Sequence, residues 1–134
     1  MVIIPKHVQD FLPGKLAWVA TASHSGQPNT TPKGTIRILD QFHILFADLY
    51  SEKTRRNLLE NNKVAVTVVD AATATGYQIK GTAEVIGSGP LFEETEFLLK
   101  ESPKELPPLK YVVKITVESV FDQSVGPFAG RQIA

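Results

Sequence analysis

Between Tyr77 and Ile86 the chain alternates with a period of two. Tyr77, Ile79, Gly81, Ala83 and Val85 are apolar or small, while Gln78, Lys80, Thr82 and Glu84 are polar. This predicts a strand with one face on a core and the other turned outward. Similar reasoning finds strands over Lys15–Ala22, Asn29–Leu39 (where Thr35-Ile36-Arg37-Ile38 alternates), Phe42–Ala47 and Val64–Val69. Tyr111–Val117 reads as a last strand, extendable through Phe121. Ser23-His24-Ser25-Gly26-Gln27-Pro28 and Asp40-Gln41 carry turn chemistry and predict two hairpins.

Elsewhere the period lengthens. Pro5 opens a short helix through Leu12 with Val8, Phe11 and Leu12 on one face, and Pro13-Gly14 ends it. Ser51–Asn61 begins on a good N-cap residue, has Leu58 and Leu59 as an apolar edge, and closes on Asn61-Asn62. Pro90–Lys100 starts on proline and carries Phe97, Leu98 and Leu99 near its end. Ser102–Pro108 is a proline-rich loop. About six strands and three short helices, without βαβ alternation, predict a mainly β fold, an antiparallel barrel. A barrel this small fills with side chains, so a ligand belongs on its wall or at a subunit interface.

The 134 residues fit one domain, 1–134. Fourteen Lys and Arg balance fourteen Asp and Glu, which argues against broad nucleic-acid binding. There is no cysteine, which excludes disulfides, thiolate metal sites and cysteine nucleophiles. His7, His24 and His43 are far apart and lack ligand spacing, so no metal site is expected. No secretory pattern opens the chain and no apolar run approaches the ~20 residues of a membrane helix, so a cytoplasmic location is expected. Trp18 and Tyr77 read as core residues, and Glu93, Glu94 and Glu96 as solvated helix charges.

One segment carries chemistry. After the strand ending Phe46-Ala47-Asp48, the chain turns into a helix at Ser51-Glu52-Lys53-Thr54-Arg55-Arg56. A helix start offers unpaired N–H groups and the positive end of the dipole, which suit a phosphate. Ser51 and Thr54 add hydroxyls and Lys53 a charge. Three cations in this turn disfavour the helix unless an anion neutralises them. Glu52 is discordant: it points away, or complements the dipole when the site is empty. Thr30-Thr31-Pro32-Lys33 offers hydroxyls and a cation on a nearby strand.

The order of these motifs resembles the FMN-binding split-barrel superfamily, which includes pyridoxamine 5′-phosphate oxidase and small bacterial FMN-binding proteins. The likeness runs over roughly residues 14–120. It rests on Ala20-Thr21 followed by Gly26 and Pro28, on Ser51-Glu52-Lys53, on Asn61-Asn62-Lys63-Val64-Ala65-Val66, and on Tyr77-Gln78-Ile79-Lys80-Gly81-Thr82-Ala83. The resemblance implies FMN as cofactor, with Ser51, Lys53 and Thr54 on its phosphate. It implies that Thr30, Thr31, Pro32 and Lys33 line the ribityl chain and ring edge, and that Phe46, Ala47 and Asp48 offer backbone groups to the ring. It also implies a homodimer with the flavin at the interface, where Gln78 or the C-terminal tail reaches the partner's ring.

The chain departs from the oxidase itself. Thr31 stands where the oxidase has an arginine, and the tail Gly126–Arg131 carries no Arg-x-His motif. This favours the smaller FMN-binding branch over vitamin B6 phosphate oxidation. A flavin-dependent oxidoreductase or electron carrier is one reading. In it the flavin does the chemistry, no side chain is needed as acid or base, and Lys33 or Arg37 is a candidate to stabilise reduced flavin. The others are a non-enzymatic barrel holding haem, deazaflavin or stored flavin, and a purely structural dimer.

Overall fold

The computed structural model describes residues 1–134. Three helices, α1 (Lys6–Phe11), α2 (Glu52–Glu60) and α3 (Pro90–Lys100), accompany eight strands. The strands are β1 (Ala17–Ala22), β2 (Pro28–Lys33), β3 (Arg37–Asp40), β4 (His43–Asp48), β5 (Lys63–Asp70), β6 (Thr75–Ile86), β7 (Tyr111–Asp122) and β8 (Arg131–Gln132). All pairings are antiparallel, in the order β2-β1-β5-β6-β7-β4-β3, with β8 on β7. This is an antiparallel split barrel, mainly β as expected, with two strands more than six.

The extra strands have separate causes. The predicted strand Asn29–Leu39 breaks at Gly34-Thr35-Ile36, so β2 pairs with β1 and β3 with β4. The two halves end at opposite edges of the sheet and do not pair with each other. β8 is two residues against Phe121 and Asp122, too short to leave a periodic signal.

The inward row of β6 is as the alternation predicts: Tyr77, Ile79, Gly81 and Ala83 are buried. They join a core of 19 residues that includes Ile4, Val8, Leu12, Val19, Phe46, Leu58, Val66, Ile79 and Ile115. A Cβ on Gly81 would stand 2.1 Å from the Thr116 carbonyl oxygen, so only glycine fits beside this bulge in the β6–β7 ladder. β4 is buried on both faces. Ile44 and Phe46 enter the main core, whereas Leu45 and Ala47 join Leu109 and Val112 in a smaller cluster under α3.

The outward rows run across five strands. Pro32, Trp18, Thr67, Gln78 and Phe121 lie side by side, with Thr30, Ala20, Ala65, Lys80 and Ser119 in the next row. Trp18 is here, 45% exposed, and not in the core as its size suggests. Of the Leu58-Leu59 pair only Leu58 is buried, because α2 buries Thr54, Asn57 and Leu58 along one stripe. No helix is long and apolar enough to cross a membrane.

Candidate functional site

The split in the barrel is closed by polar groups. Lys33, the last residue of β2, lies against Asp48, the last residue of β4, with Nζ 3.4 Å from Oδ1. Both are buried. Lys33 Nζ also donates to Ser51 Oγ, and the Ser51 N–H donates to Asp48 Oδ1 at 2.7 Å. The Ser51 hydroxyl therefore makes no helix cap, although Ser51 occupies the N-cap position. Lys33 Nζ sits 5.7 Å from the centre of the Phe46 ring. These contacts join edge strand β2 to the end of β4, two strands that no β-ladder pairs.

Asp48 Oδ2 and Thr54 Oγ1 are enclosed without any hydrogen-bond partner. An unpaired buried polar atom costs about 1–3 kcal/mol. Thr54 lies in the first turn of α2, and Asp48 ends β4 just before the loop that leads into it. The first-turn amides of Lys53 and Thr54 likewise have no acceptor within the protein, whereas Glu52 N–H reaches Tyr50 O and Arg55 N–H reaches Ser51 O. Two free donors thus remain where the helix dipole is positive.

The cations of this turn divide. Arg55 is 3.7 Å from Glu52 and lies over the Tyr111 ring at 4.7 Å. Lys53 and Arg56 have no ion-pair partner and line a polar cleft of about 260 Å³ between α2 and the β1–β2 turn. Ser23, Gln27, Asn29, Asn57 and Glu60 complete the cleft's polar lining. Asn57 is fixed by donating to Thr21 Oγ1 at 3.0 Å, which ties α2 to β1.

Glu52 now has a role. It accepts from the Tyr111 hydroxyl at 3.1 Å and pairs with Lys110 at 3.5 Å, anchoring the start of α2 to β7. The Tyr111 hydrogen bond, aided by Lys110 and Arg55, holds the Glu52 carboxyl below its ordinary range despite desolvation. Desolvation, and after it the bond to Glu52, pushes the Tyr111 phenol up. Sequence reasoning missed Tyr111 and Lys110 because they lie far along the chain and reach Glu52 only through the β4–β7 register.

The sequence-derived site residues are only partly brought together. Lys33, Asp48 and Ser51 meet at the seam, Thr54 is buried one residue beyond Lys53 without a partner, and Lys53 lines the cleft. Thr30 and Pro32 point outward from edge strand β2, while Thr31 is half-buried. Phe46 is wholly in the core. The Ala47 N–H donates to Thr35 Oγ1, and its carbonyl accepts from that same hydroxyl, both at 3.1 Å. Gln78 lies on β6 beside Thr67 and Phe121, separated from β2 by the two strands β1 and β5. Arg37 faces α3, 3.5 Å from Glu94, so Glu94 is not merely a solvated charge.

Comparison with known proteins places this geometry. Residues 4–124 match the pyridoxamine 5′-phosphate oxidase family. An uncharacterized protein of Methanocaldococcus jannaschii is 36% identical over 125 residues, covering 92% of this chain and 83% of that protein. The crystal structure of HupZ from Group A Streptococcus superposes with a TM-score of 0.82 at 31% identity, covering 96% of this chain and all of that one. An FMN-binding protein from Syntrophomonas wolfei shares the fold with a TM-score of 0.75 at 15% identity, over 90% of this chain and 84% of that one.

Proposed function

From the premise that the chain belongs to the pyridoxamine 5′-phosphate oxidase family, within the FMN-binding split-barrel superfamily, we propose that it binds FMN with the phosphate at the start of α2. The observation that carries this reading is the set of unused donors there. The Lys53 and Thr54 amides and the Lys53 and Arg56 side chains have no partners in the protein. Four unpartnered donors in one turn, two of them cationic, suit a phosphate dianion. Thr54 Oγ1 is a fifth polar group that a bound oxygen would satisfy.

In this reading Ser51 and Lys33 hold the turn and do not grip the phosphate, because they already bond each other. Asp48 neutralises Lys33 and orients the Ser51 amide, so it is a positioning residue. The ribityl chain and ring extend from the phosphate along β2, past Thr30, Thr31 and Pro32, onto the outward sheet face. That face combines exposed Trp18 with the small residues Ala20 and Ala65, and carries Gln78 and Phe121 beyond them. A second copy of the chain packed on it gives a homodimer that shelters both rings, with Gln78 reaching the partner's flavin.

Bound FMN supplies electron transfer, which makes the protein a flavin-dependent oxidoreductase or electron carrier, and the chain binds, orients and shields it. The histidines do not favour haem. His43 Nδ1 is 2.8 Å from Asp40, His7 packs edge-on against Tyr77, and none of the three lines the α2 cleft. The test is the visible spectrum of purified protein before and after incubation with FMN and removal of the excess. Flavin bands retained with the protein support the reading. A colourless protein, or a Soret band, overturns it.

A further inference from the structure

A groove of about 760 Å³ runs between the β3–β4 hairpin and α3, roofed by the proline-rich loop at 102–106. Its walls include Ile36, Ile38, Leu45, Leu98, Leu99 and Leu106. It shares no lining residue with the cleft at Lys53.

Charge is what makes this groove specific. Its only charged lining residues are Arg37 and Lys104, and no carboxylate lines it. Arg37 is poorly compensated. Its Nη1 is 3.5 Å from Glu94 Oε1, which is itself more than half exposed, and its Nη2 is enclosed without an acceptor. A guanidinium at the edge of an apolar channel is completed by a planar anion that takes two N–H groups at once. Leu98 stands at the groove with 44% of its surface exposed, so the channel has an apolar approach from solvent.

We propose that this groove is a binding site for a small apolar monocarboxylate. The carboxylate pairs with Arg37, displacing its long contact to Glu94, and the apolar body lies along the leucines and isoleucines. Lys104 adds a second positive charge from the loop. The site combines an apolar trough with one convergent charged group, the usual make-up of a small-molecule pocket. It does not depend on flavin binding. The groove does, however, reach Gly34, Thr35, Ala47 and Leu49, the neighbours of Lys33 and Asp48, so its occupant would lie close to the α2 turn.

The test is calorimetric titration of the full-length protein, with and without saturating FMN, using octanoate and octanol as probes. Octanoate is expected to bind at least about tenfold more tightly than octanol, the gain from one charge-assisted pair. Arg37→Gln is expected to remove that preference, with octanol binding retained as the sign that the groove is intact. Leu98→Glu, which places a carboxylate in the groove without touching Arg37, is expected to abolish octanoate binding. Equal binding of octanoate and octanol, no binding of octanoate, or unaltered octanoate affinity in both variants would overturn the proposal. Because FMN is titrated separately, failure of the groove and failure of the flavin site give different results.

Discussion

Two groups of cations flank the start of α2, and they behave in opposite ways. Lys33 is buried, bonded to Ser51 and paired with Asp48, so its charge is spent inside the protein. Lys53, on the helix itself, is exposed and pairs with nothing, as is Arg56 one turn on. The first group joins edge strand β2 to the end of β4, two strands that no ladder pairs. The second leaves charge exposed beside first-turn amides that have no acceptor in the protein. A basic residue near a phosphate-like turn is therefore not evidence of phosphate contact until its own partner is known.

The contrast is broken most forcefully at Asp48. Replacing one partner of a buried ion pair leaves the other uncompensated, at a cost of about 3–5 kcal/mol. Asp48→Ala should lower stability in urea by that order, and the double variant Asp48→Ala/Lys33→Met should recover much of it. If Asp48→Ala costs no more than a surface substitution, the pair is not a structural brace.

Lys53→Ala should do the reverse. Stability in urea should stay within about 0.5 kcal/mol, as for other exposed sites. FMN affinity should fall roughly tenfold to a hundredfold, the loss of one charged hydrogen bond. An unchanged affinity in equilibrium dialysis would remove Lys53 from the phosphate.

Thr54→Val sharpens the comparison, because it keeps the shape and deletes the enclosed, unpaired hydroxyl. Without ligand the variant should be as stable as the parent or more so, by about 1 kcal/mol. It should gain less melting temperature from FMN than the parent does. A variant that loses stability without FMN would show that the hydroxyl has a partner in the free protein.

The smallest effect is at Glu52. Its folded pKa lies below the ordinary value of 4.5, first because Tyr111 donates to it. A depressed carboxylate contributes stability that is present above its unfolded pKa and is lost as pH falls through the folded value. Tyr111→Phe should bring the Glu52 midpoint back toward 4.5 in a carboxyl-detected NMR titration. The stability change at neutral pH should be small, since the pair is exposed. A midpoint unmoved by Tyr111→Phe would assign the depression to Lys110 and Arg55.

How much of this was legible in the sequence follows from the range of each interaction. β6 was legible residue by residue, because a half-buried strand writes its own period. The start of α2 was legible for the same local reason. The break of one predicted strand into β2 and β3 was not, although Gly34 marks it, because the switch of partners is a property of the closed sheet. Asp48, expected to offer a backbone group to a ring, also has its carboxylate paired with Lys33. A carboxylate ending the buried run Ile44–Ala47 must find a cation, but the sequence does not say that β2 ends opposite it. Trp18 was read inward by size, whereas the register puts it outward with Pro32 and Thr67. Glu52 was discordant only while Tyr111 was out of view.

The central claim is that the free donors of α2 hold the phosphate of FMN. The most direct measurement is a pair of titrations, FMN and riboflavin, on the parent protein and on Lys53→Ala, since the two flavins differ only by the phosphate. The account predicts that the parent binds FMN more tightly than riboflavin by at least about tenfold, and that Lys53→Ala narrows this gap by lowering FMN affinity alone. Equal affinity of the parent for both flavins, or an equal loss for both in the variant, would contradict it.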